Sequence, residues 1–335
     1  MKIAFFNLEN WEKEIAENYL KDQEISFFDY ALNKDNLPEE KDFDIVSVFV
    51  DSEVDSKVLE ALPQLKFIVT RSTGFDHIDL KACASKNILV SNVPAYGDNT
   101  VAEFTFGLMI CLIRKIFLAY DRIKEIGSFS LEGLRGVDLK GKTLGVIGTG
   151  RIGSRVVKIA KGFEMNVIAY DPFPNKKLSE EFNFPYLSFE EVLKSADILT
   201  LHVPYNEKTH HLINKDNISL IKKGAYLINT SRGGIVETEA LIKALKEGIL
   251  AGAGLDVLEE EGVVKDEMGF LFRGHPEEHN LKTVLANHIL IDMDNVIITP
   301  HNAFNTQEAL QRILETSLEN IKTFIQGSPV NLVKT

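Results

Sequence analysis

The sequence predicts an α/β protein of two parallel-sheet domains, Rossmann-like or flavodoxin-like, with an interdomain active-site cleft. Three observations point to it. Short β-branched runs alternate with helical patterns over most of the chain, as expected of strands joined by crossover helices. A glycine-rich turn, "LGVIGTGRIG" at 144–153, separates a strand-like from a helix-like segment. The chain has 335 residues, more than one hydrophobic core usually spans, so two domains are expected. Ligands of such sheets bind beyond the carboxyl ends of the strands, and a second unit adds a cleft between domains.

The elements follow in order. "KIAFF", "EISFF", "DIVSVFV", "KFIVT" and "NILVS" read as the strands of the first unit. A long helix is predicted from Asn99 to Lys124, with Asn99 as its cap. Beyond it "KTLGVIG", "NVIAY", "ADILTLHV", "GAYLINT", "AGAGLDV" and "NVIITP" form a second strand series, each after a helix-like spacer or loop. An apolar-periodic segment from Thr306 to Ile325 reads as a closing helix. There is no short-period repeat.

Composition narrows the partners. Hydrophobic residues make up 44% and charged residues 26%, ordinary for a globular chain. A formal charge of −12 argues against nucleic acid, which needs a basic face, and disfavours anionic membrane. The longest apolar run, "FTFGLMICLI" at 104–113, falls short of the ~20 residues a span needs. The N-terminus turns polar at once and holds no signal-peptide core. Cys83 and Cys111 suggest neither a disulfide framework nor a metal cluster. A cytoplasmic protein is expected.

In the segment 144–172, Gly148 permits a tight turn, Gly150 lets backbone approach a pyrophosphate, and Gly153 lets helix pack on strand. Thr149, Arg151 and Ile152 complete the loop, and the helix start offers amides and a positive dipole end to phosphate. A glycine loop alone is weak evidence. Asp171, ending the next strand about 20 residues on, is the expected ribose acceptor and would repel a 2′-phosphate. No arginine follows it directly, so NAD is favoured over NADP, although Lys176 and Lys177 lie close.

Three further strands end in polar groups: Arg232 in "NTSRGG", Asp256 and the glutamates 259–261 in "GLDVLEEEG", and His301 in "TPHNAF". Singly, each has a bland reading as a surface cation, a solvated face or a helix cap. Together they supply a guanidinium, a carboxylate and an imidazole beside a dinucleotide loop, a set suited to hydride transfer to an α-keto acid. Arginine can pair with a carboxylate or polarise a keto oxygen. Imidazole can protonate that oxygen, and a carboxylate can keep the imidazole charged and oriented. The residues alone leave Glu259, Glu260 and Glu261 indistinguishable.

These motifs, with "TRSTGFDHIDL", "NVPAYGDNTVAEFTFGLM", "FSLEGLRG" and "LHVPYNEKTHHLIN", make the chain resemble the D-isomer-specific 2-hydroxyacid dehydrogenase family, specifically its NAD-dependent D-lactate dehydrogenase branch. The likeness covers nearly the whole chain. It implies reduction of pyruvate or a similar 2-keto acid, Arg232 as anchor of the substrate carboxylate and His301 as acid/base. The family's glutamate lies five residues after the aspartate of the "DV" pair, which selects Glu261 and assigns Glu259 and Glu260 to a solvated turn. The resemblance also implies Asp256 at the nicotinamide carboxamide, Thr230 and Ser231 near its ring, and His202, Val203 and Pro204 lining the cofactor cleft. On the substrate side it implies Thr73 and Gly74 amides, Tyr96 and the Phe304 wall. Residues 1–100 with 300–335 would form the substrate domain and 101–299 the NAD domain, in a homodimer that meets through the long helix and the "FSLEGL" arm.

The chain departs from this pattern. Gly262 stands where many relatives have proline, the stretch 263–295 is longer than in some branches, and Gly97–Asp98 replaces serine–proline after Tyr96. Glyoxylate, a branched-chain keto acid or phosphohydroxypyruvate are alternative substrates, although Arg71 is the lone basic residue of its loop. An NAD-sensing corepressor could retain the same triad; the lack of basic or disordered extensions counts against it. The other histidines (His77, His210, His211, His275, His279, His288) show no partner pattern, His210 and His211 are expected to point apart, and no metal site is expected.

Overall fold

A computed structural model describes residues 1–265 and 280–334. The chain divides into two compact units, Met1–Tyr96 with Thr306–Thr335, and Gly97–Asn305.

In the first unit, strands β1 (Lys2–Phe6), β2 (Glu24–Phe28), β3 (Ile45–Val48), β4 (Phe67–Thr70) and β5 (Leu89–Ser91) form a parallel sheet of order β2-β1-β3-β4-β5, the flavodoxin-like arrangement. Alternate side chains go to opposite faces. Ile3, Phe5, Phe67 and Val69 pack under helix α1 (Asn10–Tyr19) and the C-terminal helix (Gln307–Ile325), whereas Phe6, Val46 and Ile68 pack with Val58, Leu59 and Cys83. Those come from α2 (Ser56–Ala61) and α3 (Leu80–Ser85). Both faces being covered explains why β3 and β4 are buried throughout.

The second unit holds α4 (Asp98–Ile113), α5 (Ile116–Ile126) and strands β6 (Thr143–Ile147), β7 (Asn166–Tyr170), β8 (Ile198–Leu201), β9 (Ala225–Asn229), β10 (Leu250–Leu255) and β11 (Val296–Ile298). Their parallel order is β7-β6-β8-β9-β10-β11, with a Tyr186–Ala169 bridge beyond β7. Sheet order reverses between β6 and β8, the switch point where dinucleotides bind in such sheets. Helices α6 (Arg151–Gly162), α7 (Lys176–Phe182), α8 (Phe189–Ser195), α9 (Thr238–Lys246), α10 (Glu261–Lys265) and α11 (Leu281–Ile291) complete the unit.

The single long helix expected from Asn99 to Lys124 is two helices. Lys115 takes a left-handed conformation, φ 54, and ends the first. The cause is burial: α4 packs into the sheet, while α5 buries none of its residues. Cβ atoms at Gly252 and Gly254 would lie 3.2 and 2.9 Å from Leu112 and Leu108 of α4, which accounts for the small-residue strand β10. Asn99 is not the cap; Gly97 is, and the Asn99 amide donates to Glu103 instead. The expected boundaries at 100 and 300 move outward accordingly, because α4 belongs wholly to the second unit and Thr306, which caps the C-terminal helix, to the first.

Candidate active site

The glycine loop leaves β6 and enters α6. Gly148 has φ 91, and a Cβ there would lie 2.5 Å from the His202 carbonyl; at Gly153 it would lie 2.0 Å from the Gly148 carbonyl. Both glycines are therefore required by the fold. Gly150, the cap of α6, would meet no protein atom within 4 Å. Packing does not demand that glycine, and it leaves bare backbone at a helix start, a cradle that fits a pyrophosphate. Arg151 pairs with Asp98 at 2.9 Å and Ile152 packs on the core, so their side chains are already engaged.

Asp171 follows β7. Its Oδ2 accepts from the Thr149 N–H at 2.8 Å and hydroxyl at 3.1 Å, and Oδ1 accepts from the Phe173 N–H at 2.8 Å. Tyr186 joins through its hydroxyl, 2.8 Å from the Thr149 Oγ1. Nothing periodic in the sequence marks Tyr186. His202 follows β8 with its Nε2 2.8 Å from the Thr200 Oγ1. Burial lowers its pKa to about 3, so it is neutral near pH 7 and cannot serve as an acid. Val203 packs against the Gly148 turn, and the Pro204 carbonyl accepts from Thr209.

After β9 the chain is tied down by its own polar groups. Thr230 and Thr105 hydroxyls are 3.0 Å apart, and the Ser231 hydroxyl donates to the Leu201 carbonyl at 2.7 Å. Asn229, unmarked in the sequence reading, donates to the Arg232 carbonyl at 2.9 Å and accepts from the Ser231 N–H at 3.0 Å. Arg232 itself is half-buried.

Asp256, buried after β10, accepts from the Thr299 hydroxyl at 2.5 Å and from the Asn302 and Ala303 N–H groups at 2.8 Å each. Burial pushes its pKa above the usual carboxylate value, against those hydrogen bonds and nearby His301, which pull it down. Asp256 thus builds the loop that carries His301. That residue has φ 53, held by bonds from its N–H to the Asp256 carbonyl (2.8 Å) and the Thr299 carbonyl (2.9 Å). A left-handed histidine costs about 1–3 kcal/mol, a strain that persists where surrounding contacts impose it. Its Nδ1 lies 2.8 Å from the Glu261 Oε1, and its ring lies edge-on to Phe304 at 6.4 Å. A cavity of about 240 Å³ adjoins Asp256, Glu261, Thr299 and His301.

Of the three glutamates, Glu261 meets the histidine, but Glu259 is no solvated turn residue. Its side chain is 16% exposed and its Oε1 lies 2.6 Å from His211 Nε2. Its Oε2 accepts from the Thr238 N–H at 2.9 Å and hydroxyl at 2.5 Å. His210 and His211 do not point apart either; their rings stack at 3.9 Å because His211 is left-handed, φ 48. His77 also has a partner, the Thr70 hydroxyl at 3.0 Å. His275 and His279 lie outside the described residues.

Thr73, Gly74 and Tyr96 belong to the first unit. The loop after β4 is braced by the Thr73 hydroxyl donating to Val93 O (2.8 Å) and the Asn92 amide donating to Thr73 O (2.8 Å). The Tyr96 carbonyl accepts from Arg312 at 2.9 Å. Arg71 is buried, donating to carbonyls of Phe6 (2.8 Å), Asn7 (2.9 Å) and Ser47 (3.2 Å). Burial lowers its pKa to about 10, so it stays charged as a brace for three strand ends.

Residues 106–303 match the family model for the D-isomer specific 2-hydroxyacid dehydrogenase, NAD binding domain. A 2-hydroxyacid dehydrogenase homolog of Schizosaccharomyces pombe is 42% identical over 97% of this chain and 96% of its own. An aromatic 2-oxoacid reductase of Clostridium sporogenes is 41% identical, covering 85% of this chain and 83% of its own. The crystal structure of the Aquifex aeolicus D-lactate dehydrogenase, complexed with NAD and lactic acid, superposes with a TM-score of 0.86 at 38% identity, covering 97% and 96% of the two chains. With a glycine cradle at the switch point, a carboxylate at the end of the next strand and matches of this extent, the chain belongs to the D-isomer-specific 2-hydroxyacid dehydrogenase family, enzymes that use NAD.

Proposed function

We propose that this dehydrogenase reduces pyruvate to D-lactate, with Arg232, Glu261 and His301 as the working triad. The observation that carries the triad is the 2.8 Å contact between His301 Nδ1 and Glu261 Oε1, which orients the ring. Bound NADH supplies the hydride that reaches the keto carbon. His301 delivers a proton from Nε2 to the keto oxygen, since Nδ1 is held by Glu261. Arg232 pairs with the substrate carboxylate and polarises the keto group. The Thr73 and Gly74 amides and Tyr96 take the same carboxylate, and Phe304 walls the substrate side chain. Gly148 to Gly153 cradle the pyrophosphate, Asp171 takes the ribose hydroxyls, and His202 to Pro204 with Thr230, Ser231 and Asp256 line the nicotinamide half.

A bulkier keto acid is the second reading, favoured by the Gly97–Asp98 departure after Tyr96 and by the 41% identity to an aromatic 2-oxoacid reductase. NADH consumption with pyruvate, 2-ketoisocaproate, phenylpyruvate, glyoxylate and phosphohydroxypyruvate separates the two. The expected result is the highest kcat/KM on pyruvate, with a D product by chiral analysis. A phenylpyruvate value more than about tenfold higher, ~1.4 kcal/mol of selectivity, overturns the lactate assignment.

A homodimer is part of the same proposal. Helix α5 and the arm behind it expose Ile126 (73%), Phe129 (84%) and Leu131 (84%), an apolar stretch suited to a partner surface. Sedimentation should give twice the 37.6 kDa chain mass, and Phe129→Asp with Leu131→Asp should return the monomer. No helix among the described residues is long and apolar enough to cross a membrane; a cytoplasmic location belongs to the proposal.

A further inference from the structure

We infer that Glu259 is a positioning residue that fixes the Arg232 and Glu261 segments against each other through His211 and Thr238. This rests on the roles proposed above for Arg232 and Glu261. Three chain segments leave the carboxyl ends of β8, β9 and β10, and each contributes one partner. His211, from the first, lies 2.6 Å from Glu259 Oε1. Thr238, at the start of α9 behind Arg232, gives Oε2 its N–H at 2.9 Å and its hydroxyl at 2.5 Å. The carboxylate therefore also satisfies an orphan amide at the positive end of α9. The Glu259 carbonyl accepts from the Asn287 amide of α11 at 2.7 Å.

The backbones these groups join are already in contact. A Cβ at Gly233 would lie 2.0 Å from the Leu258 carbonyl carbon, so the residue after Arg232 rests directly on the turn that leads to Glu261. The His211 and Ile213 N–H groups donate to the Gly234 and Ile235 carbonyls at 2.8 and 3.1 Å. Between Glu259 and Glu261, Glu260 takes a left-handed conformation, φ 53. The chain turns sharply there, sending Glu261 to His301 while Glu259 stays with His211 and Thr238. A carboxylate offers about four acceptor sites, and three donors here converge from two other segments. Charge-assisted bonds of that kind hold geometry tightly, and a displacement of about 1 Å at reacting groups can cost ~100-fold in rate.

The test uses the full-length enzyme with pyruvate, or the better substrate of the panel, at saturating NADH. Glu259→Ala should lower kcat about tenfold or more while NADH affinity, read by fluorescence, stays within about twofold. Glu259→Gln keeps the shape but loses the charge and one acceptor, and should lower kcat about threefold; it carries the comparison if the alanine variant does not fold. Glu260→Gln should stay within about twofold of wild type. If Glu259 acts by holding Glu261, the double variant Glu259→Ala/Glu261→Gln should be no more than about twofold slower than Glu261→Gln. A lowered Tm with unchanged kcat overturns the inference and leaves the triad standing; additive losses in the double variant assign the effect to the Arg232 segment, reached through Thr238. Wild-type turnover in Glu261→Gln itself overturns the triad and the inference with it.

Discussion

His301→Ala is expected to reduce turnover at least about a hundredfold, the usual scale for losing a positioned acid. The imidazole sits on a strained left-handed residue, its N–H bonded to Asp256 and Thr299 and its Nδ1 to Glu261. Such an arrangement costs folding energy at a residue whose ring meets Glu261 and Phe304. NADH affinity by fluorescence should survive, because the glycine cradle and Asp171 are elsewhere on the sheet. Glu261→Gln should retain the fold and lower kcat about tenfold or more, as the imidazole loses the carboxylate that orients it. Turnover near wild type in His301→Ala would falsify the acid assignment. An unchanged kcat in Glu261→Gln would remove the orienting role from that carboxylate.

Arg232→Ala is expected to lower kcat/KM about a thousandfold, more than any other substitution considered, because one guanidinium both anchors the carboxylate and polarises the carbonyl. Arg232→Lys should recover only part of this, since an ammonium cannot make the paired, planar contact. Steady-state kinetics distinguish the two functions: loss confined to KM means anchoring alone, and an equal fall in kcat adds polarisation. Cofactor affinity again serves as the control. Retention of more than about a tenth of wild-type kcat/KM in the alanine variant sinks the assignment of Arg232 as the substrate cation.

Much of this was legible in the chain. The alternation of β-branched runs with helical spacers identified both sheets, because period and length are local properties that survive folding. The glycine loop was legible for the same reason: Gly153 rests on the Gly148 carbonyl within one strand–turn–helix, whereas the approach of His202 to Gly148 comes from a distant strand and was not. The break at Lys115 was not, since helix propensity runs through it and the end of α4 is set by what α4 buries against β10. Neither was the buried brace made by Arg71, which in the sequence is only the lone basic residue of its loop.

The sequence by itself determined the residue types at the strand ends; it left the three glutamates indistinguishable, and only the resemblance to the family pointed to Glu261. Tertiary structure alone decided what the remaining carboxylates do. Glu259 finds Thr238 across 21 residues of sequence and His211 across 48, separations that carry no local period. Those partners meet only because parallel strands bring their carboxyl ends to one edge of the sheet, where a side chain that reads as solvated becomes a half-buried acceptor.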